Sequence, residues 1–438
     1  KNRNIKRVPW NDYIMYDAER CISCGRCIRF TRDIAKEDKL TFINRSDNVR
    51  IERFNDAELK NNYSMNIIDN CPVGALTSKD FRFKARVWEM SFQDSICPGC
   101  SRGCNIRIGI RNNEILRLEP RQNSYVNKHW MCDFGRLTQY KFVNENRLTK
   151  TIIKEKEIVK ETSLENAVKF LNKELKRFSP KEIYFLASPY ASLESNYLLK
   201  MFARDIIKTD NIAYIPRIDE NFGDNFLRTQ DRAPNSAAMK LLEINKLNIS
   251  EIMTKIKARS IKALYLLDES FESCKEFSEL LKEVEFLVVH TANKNELLKF
   301  ANVVFPVTTF AEQEGTFINC DSRLQYFAPA LTTNFEKHNL TNLSRLDKFG
   351  SHNDKWNKKE IKEIYPSWEI LQKLASTFSA KFNFKKTEDI FDDISKNINL
   401  CSEINYKLLI EKHGIILSNT KNNEEEPQVI YHSNRMRP

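Results

Sequence analysis

The sequence predicts two small cysteine-bearing domains, the first α+β and the second β-rich, followed by an α/β domain. Three observations carry that reading. Eight of the eleven cysteines fall in two groups between residues 21 and 132. Short strand patterns with polar turns surround those groups. From about residue 150 helical patterns alternate with strands that are apolar throughout, the mark of a parallel sheet covered on both faces. The expected divisions are 1–92, 93–149, 150–331 and a partly helical extension, 332–438, with a disordered tail.

The first group is Cys21-Ile-Ser-Cys24-Gly-Arg-Cys27, completed by Cys71-Pro-Val-Gly74. Three thiols in seven residues wrap three corners of a cubane iron–sulfur cluster, and a distant Cys-Pro supplies the fourth. Gly25 relieves crowding where the backbone must pass close to sulfide. Nothing after Cys27 offers a thiol at the offset seen in two-cluster proteins, so Cys71 is the fourth ligand of this same site. Flanking elements fit a ferredoxin-like outline. Residues 13–16 read as a strand, 28–34 as one or two helical turns, and 40–43 with 49–51 as strands about a polar turn. A short helix precedes Cys71, where Pro72 fixes φ and Gly74 permits a tight turn.

The second group is Cys97-Pro-Gly-Cys100-Ser-Arg-Gly-Cys104 with Cys132. Zinc ribbons use two separated pairs, whereas three plus one again suits a cubane. Disulfides are disfavoured: the chain is large, shows no secretory signal and spaces its thiols too closely. Residues 105–110 and 114–118 alternate apolar and polar about Arg111-Asn-Asn113, a hairpin signal.

Further on, Thr162-Ser-Leu-Glu165 reads as a capping box that opens a helix to Lys176. Strands are expected at 182–187, 261–267, 286–290 and 303–305, with a long helix over 192–207 and another helix between the second and third strands. Pro306 ends the last strand, and 308–331 reads as a loop. Residues 332–360 are polar and lysine-rich, 368–378 helical, and the tail from Asn419 poorly ordered.

Composition excludes some function classes. The 41% hydrophobic and 29% charged fractions are those of a soluble globular chain, and no apolar run reaches membrane-spanning length. Residues 1–150 carry 28 Lys+Arg against 18 Asp+Glu; the remainder is nearly balanced. Such a basic block points either to nucleic acid or to compensation of anionic thiolate clusters, and the cysteines favour the second. Cys274, Cys320 and Cys401 stand alone and read as ordinary thiols, in keeping with a reducing compartment.

The cysteine ladder and its flanks resemble the large iron–sulfur subunit of respiratory NADH:quinone oxidoreductase, complex I. The residues that carry the resemblance are 19–30, 71–88, Val126-Asn127 and Trp130-Met-Cys-Asp-Phe-Gly-Arg136. Glu314-Gly-Thr-Phe-Ile-Asn319, with Arg323 and Gln325, is shared with the wider molybdopterin oxidoreductase superfamily. The resemblance implies an α/β domain of molybdopterin-oxidoreductase type and two [4Fe-4S] clusters. Cys21, Cys24, Cys27 and Cys71 would hold one on the electron path; Cys97, Cys100, Cys104 and Cys132 would hold another off it. It further implies electron relay from NADH and flavin toward quinone, with flavin/NADH-binding and cluster-bearing subunits of the peripheral arm as partners. The complex would sit on the cytoplasmic side of the inner membrane, reached only through partners. The family's amino-terminal [2Fe-2S] part and a His/Cys-ligated cluster would lie upstream of Lys1, since no histidine precedes Cys21. Molybdopterin is not expected: residues 151–438 hold four glycines and no Gly-x-Gly to approach a phosphate.

Two other readings remain. An NAD-linked hydrogenase or formate dehydrogenase would reuse the same module, and a zinc-bearing nucleic-acid-binding protein would explain the basic block. Among single residues, His129 reads as a neighbour of Cys132 and His290 as a core or strand-edge histidine. Arg26, Arg29, Arg102 and Arg136 are candidates to place positive field on a cluster. Glu312 and Glu314 read as parts of a packed loop, because no nucleophile or phosphate loop accompanies them.

Overall fold

Three short strands frame the first cysteine loop in the computed structural model, which describes residues 6–155, 158–267, 279–333, 364–380 and 382–417. β1 (Val8–Pro9), β2 (Ile14–Tyr16) and, after the loop, β5 (Leu76–Ser78) form an antiparallel sheet with β2 central. Between them come α1 (Arg26–Arg29), β3 (Leu40–Ile43), β4 (Arg50–Arg53) and α2 (Asn66–Asn70). α1 runs on into a wider turn, Phe30–Ile34, so the expected helical turns are present. β3 and β4 pair as a hairpin.

A second antiparallel sheet follows: β6 (Ser91–Ile96), β7 (Asn105–Arg111) and β8 (Glu114–Pro120). Asn112 and Asn113 both take positive φ in the β7–β8 turn, the dihedrals that asparagine tolerates. α3 (Asp133–Asn144) then packs on β8. One apolar core, with Trp10, Ile14, Ile67, Ile106, Met131 and Phe327, runs continuously through both cysteine-bearing parts.

The third part is an eight-stranded sheet. Its parallel strands are β11 (Ile183–Ala187), β12 (Ile212–Tyr214), β13 (Asn245–Lys246), β14 (Ala263–Leu266), β15 (Phe286–Thr291) and β16 (Val303–Pro306). They lie in the order β16-β15-β14-β11-β12-β13, so the sheet is wound outward in both directions from β11. The sheet is mixed, where the sequence predicts a parallel one. β9 (Thr151–Glu155) and β10 (Ile158–Thr162) form a hairpin that adds antiparallel to the edge at β16.

Helices cover both faces. On one, α4 (Leu164–Leu175) and α5 (Leu193–Met201) bury Leu171 and Leu198 over Phe185 and Phe305. Ser163, not Thr162, caps α4, accepting the Asn166 N–H; Thr162 is spent as the last residue of β10. The expected long helix is α5 continued by a π turn, Phe202–Ile207. α6 (Ser236–Leu241) shares that face, while α7 (Ile249–Lys257) buries Ile252 and Ile256 on the other.

The segment expected as a loop, 308–331, contains a hairpin, β17 (Gly315–Ile318) with β18 (Arg323–Phe327). Both strands are almost wholly buried, so they lack the polar alternation by which half-exposed strands are recognised. α8 (Ser367–Thr377), α9 (Thr387–Asn397) and α10 (Tyr406–Glu411) then pack back on α4, α5 and β18, and β19 (Ile415–Ile416) joins β18. The expected helix between β14 and β15 falls largely on 268–278, outside the described residues. The polar stretch mostly within 334–363, the tail from 418 and Cys274 also lie outside them. Among the described residues, no helix is long and apolar enough to cross a membrane.

Candidate functional site

Gly25, with φ +70, is the left-handed turn from which α1 starts, and it swings Cys27 inward while Cys24 stays on the loop. Cys71 ends α2, its N–H bonded to the Ile67 and Ile68 carbonyls. These elements bring all four predicted thiols to one place: Cys21, Cys24, Cys27 and Cys71 line a single cavity with Tyr16, Ile22, Arg26, Ile51, Pro72, Val73, Ala75 and Leu76. Four thiols ringing a shared space suit a cluster, which takes one thiolate at each corner. Among the described residues, no three His, Cys, Asp or Glu side chains are grouped to hold a single ion.

Burial, and then the neighbouring Cys21, Cys24 and Cys71, push the Cys27 thiol up to about 12. A bound metal reverses that preference by taking the thiolate directly. Ser23 N–H reaches the Cys21 sulfur at 3.4 Å. The Tyr16 hydroxyl is buried beside Cys21 and the Ile51 backbone, with no well-aligned hydrogen bond to either. A buried donor beside a thiol, with no aligned acceptor, fits a site shaped for sulfur-rich cargo. Of the predicted arginines, Arg26 lines the cavity and Arg29 touches Gly25, both with exposed side chains.

The second set is buried. Cys97, Cys100, Cys104 and Cys132 are 5–7% exposed. The Cys97 N–H donates to the Cys104 carbonyl at 2.8 Å, closing the loop. Cys132 caps α3, its sulfur accepting the Gly135 N–H at 3.3 Å, so a thiolate there meets the positive end of a twelve-residue helix. A Cβ on Gly135 would stand 3.0 Å from the Cys97 sulfur and 3.5 Å from that of Cys132, so both sulfurs converge on this one small residue. Burial pushes the Cys132 thiol up to about 12 and raises Cys97 and Cys104 strongly, with the other thiols of the set adding to it.

The two sets are tied together. Asn66, on α2, donates to the Met131 carbonyl and accepts its N–H. Arg136, on α3, forms a buried ion pair with Asp69, two residues before Cys71. Asp133 accepts the Met65 N–H at 2.9 Å, and burial lifts its carboxyl to about 7. Arg136, one of four arginines that the sequence offers as lending field to a cluster or as solvated, has as its partner a carboxylate 67 residues away. Arg102 likewise turns to Asp321 and the Leu227 carbonyl.

Residues that sequence reasoning missed close over the second set. An excursion after β12 presents Phe222, Leu227 and Arg228; Ser101 bonds Thr229 and Asp231 across it, and Phe222 meets Phe134 edge-on. From the other side the β17–β18 hairpin braces the same loop. Asn319 and Gln325 bond the Arg102 and Gly103 carbonyls, and Cys320 N–H bonds Ser101. Arg323 donates to the Gly414 carbonyl and stacks on Tyr125. The only sequence signal of this role is the Glu314–Asn319 motif, which does not say what it touches.

The remaining candidates are structural. Glu312 is wholly buried, paired with Arg147 and accepting from Thr309; Glu314 accepts from Tyr326. His129 is exposed against Trp130. His290 is fully buried between Tyr265 and Ser367. Cys320 is exposed and Cys401 buried.

Residues 11–77 match the ferredoxin-like domain of NADH-quinone oxidoreductase subunit 3, and residues 90–144 match the molybdopterin oxidoreductase Fe4S4 domain. Residues 220–346 match molybdopterin oxidoreductase. The G-type subunit of NADH-quinone oxidoreductase from Rickettsia bellii is 35% identical over 204 residues, 47% of this chain and 30% of that protein. The G-type subunit from Pseudomonas fluorescens is 37% identical over 45% of this chain and 22% of its own length. Subunit 3 of the Thermus thermophilus enzyme is 33% identical over 48% and 26%. The chain thus spans less than a third of the curated relatives it matches. Acetylene hydratase from Pelobacter acetylenicus overlays at TM-score 0.48 and 7% identity over 74% of each chain, too loose a likeness to carry an argument.

Proposed function

We propose that this relative of the G-type and type 3 subunits of NADH-quinone oxidoreductase is an electron-transfer subunit of such a complex. It would relay electrons from NADH and flavin toward quinone, beside flavin- and cluster-bearing partners in a peripheral arm on the cytoplasmic face of the membrane. The observation that supports this best is the ring of Cys21, Cys24, Cys27 and Cys71 around one cavity. Cys97, Cys100, Cys104 and Cys132 would form a second site, with residues 93–149 as its small domain.

A bound [4Fe-4S] cluster supplies one-electron chemistry with little rearrangement. The chain's own residues fix where that happens and at what potential. Cys21, Cys24 and Cys71 keep the first site at the surface, where exchange with a partner is short-range. Arg26 and Arg29 place positive charge beside it, offsetting the negative charge of four thiolates. Around the second site, burial excludes water, and the α3 amino terminus stabilises the Cys132 thiolate. The α/β part acts as a brace through β17–β18.

The test is iron, sulfide, zinc and molybdenum content of the anaerobically prepared chain, with low-temperature EPR after reduction. About eight iron and eight sulfide, without molybdenum, are expected for two cubanes. Cys24→Ala should abolish one EPR signal and spare the other. Zinc without sulfide would overturn the redox reading, and two unchanged signals in Cys24→Ala would overturn the ligand assignment.

A further inference from the structure

We propose that the Tyr16 hydroxyl is a hydrogen-bond donor to sulfur at the first cysteine site and raises the reduction potential of the cluster held there. The inference rests on the reading of that site as a cluster site. Tyr16 ends β2 and is 3% exposed. Its ring stacks on Trp10 at 4.4 Å and 28°, which fixes where the hydroxyl points. Tyr16 lines the cavity ringed by the four thiols, and its buried hydroxyl lies beside Cys21 without a well-aligned hydrogen bond.

A buried hydroxyl without a partner is costly and rare, so the group that would satisfy it is informative. Every other lining side chain is aliphatic or proline, except Arg26 and the four cysteines. Arginine offers donors only. The Ile51 backbone lies against the oxygen and leaves the proton free. Sulfur is therefore the side-chain acceptor that the cavity lining offers, and Cys21 is the thiol that bears most on the hydroxyl. Reduction adds one negative charge to a site that is already anionic. A proton aimed at sulfur stabilises the reduced state more than the oxidised one, which raises the potential. Tyr16 is thus a positioning and tuning residue, which neither ligates the cluster nor carries the electron.

The experiment compares the anaerobically reconstituted chain with Tyr16→Phe. Iron and sulfide are assayed first, then EPR is followed through a dithionite titration. Signals are assigned to sites with Cys24→Ala. Wild-type chain without iron and sulfide would overturn the cluster reading itself, before any potential is measured. With both proteins loaded, Tyr16→Phe should shift the first cluster's reduction equilibrium by about tenfold toward the oxidised form, 59 mV for a one-electron couple, and leave the second unmoved. An unchanged first potential would overturn the inference. A merely structural hydroxyl would show itself differently, as a lower unfolding temperature of cluster-free Tyr16→Phe. That loss alone, with the first potential unmoved, would assign the hydroxyl to structure and overturn the inference. Should Tyr16→Phe fail to load, 3,5-difluorotyrosine placed at position 16 keeps the shape and strengthens the donor. It should raise the first potential, and no movement would again overturn the inference.

Discussion

Gly103 holds φ +61 in the loop between Cys100 and Cys104, and a Cβ there would stand 2.5 Å from Gln325 Oε1. The same Gln325 amide donates to the Gly103 carbonyl, so it cannot withdraw without losing that bond. Left-handed strain costs about 1–2 kcal/mol for a residue with a Cβ. A lost hydrogen bond adds about 1 kcal/mol. Gly103→Ala should therefore destabilise the chain by about 2–3 kcal/mol in urea unfolding. Gln325→Ala removes the obstacle, so in that background Gly103→Ala should cost only the strain. Strictly additive costs would show that the contact with Gln325 is unimportant. At this scale the sequence is legible where the chemistry is local. Cysteine spacing points to both sets, and the first set does meet in one cavity. The sequence is silent where a side chain's partner is distant. Nothing near Arg136 or Arg102 in the chain announces Asp69 or Asp321, so each reads equally as lending field to a cluster or as a solvated side chain; Arg102 does act on Cys104 while paired with Asp321.

Between elements, the same contrast decides what is legible. The strands β11, β14, β15 and β16 are apolar runs of four to six residues and lie within a residue or two of their expected bounds. The β17–β18 hairpin escapes sequence reading because its strands are buried: besides its own turn, organised by Asn319, it is held by the second cysteine loop and by β19. β15 also carries a consequence for pH. His290 on that strand joins Tyr265 of β14, at 2.6 Å, to Ser367 at the start of α8, at 3.1 Å. Burial lowers its pKa from 6.5 to about 3. The unfolded chain takes up a proton below pH 6.5 that the native chain refuses until about pH 3. Its contribution is therefore full above 6.5 and is lost as pH falls, by up to about 1.4 kcal/mol per pH unit. Between about pH 7 and about pH 5 this residue should account for about 2 kcal/mol of lost stability. His290→Gln, which cannot take up that proton, should flatten the urea-midpoint profile over the range. An equally steep profile in the variant would mean other groups carry the acid sensitivity.

Across the whole molecule the two cysteine sets differ in what encloses them. The β6–β8 sheet, the excursion after β12 and the β17–β18 hairpin all close on the second set, whose thiols are buried. Among the described residues, the first set is lined by β2, β4, β5 and the loops that carry the cysteines. Cys21, Cys24 and Cys71 are half-exposed, and Ile22 and Phe42 stand 60% and 45% open beside them. Reaching iron in the second site requires an opening that separates large packed parts, whereas the first needs only a loop to move. Openings of those two kinds differ in free energy, from near zero for a surface loop up to the global value for a core. With both sites filled, a ferrous chelator under anaerobic reducing conditions should remove iron in two phases, the fast one from the first site. Cys24→Ala, which empties that site, should delete the fast phase and keep the slow one. A slow phase that disappears instead would mean that the buried set is the labile one, against the enclosure built by the α/β part.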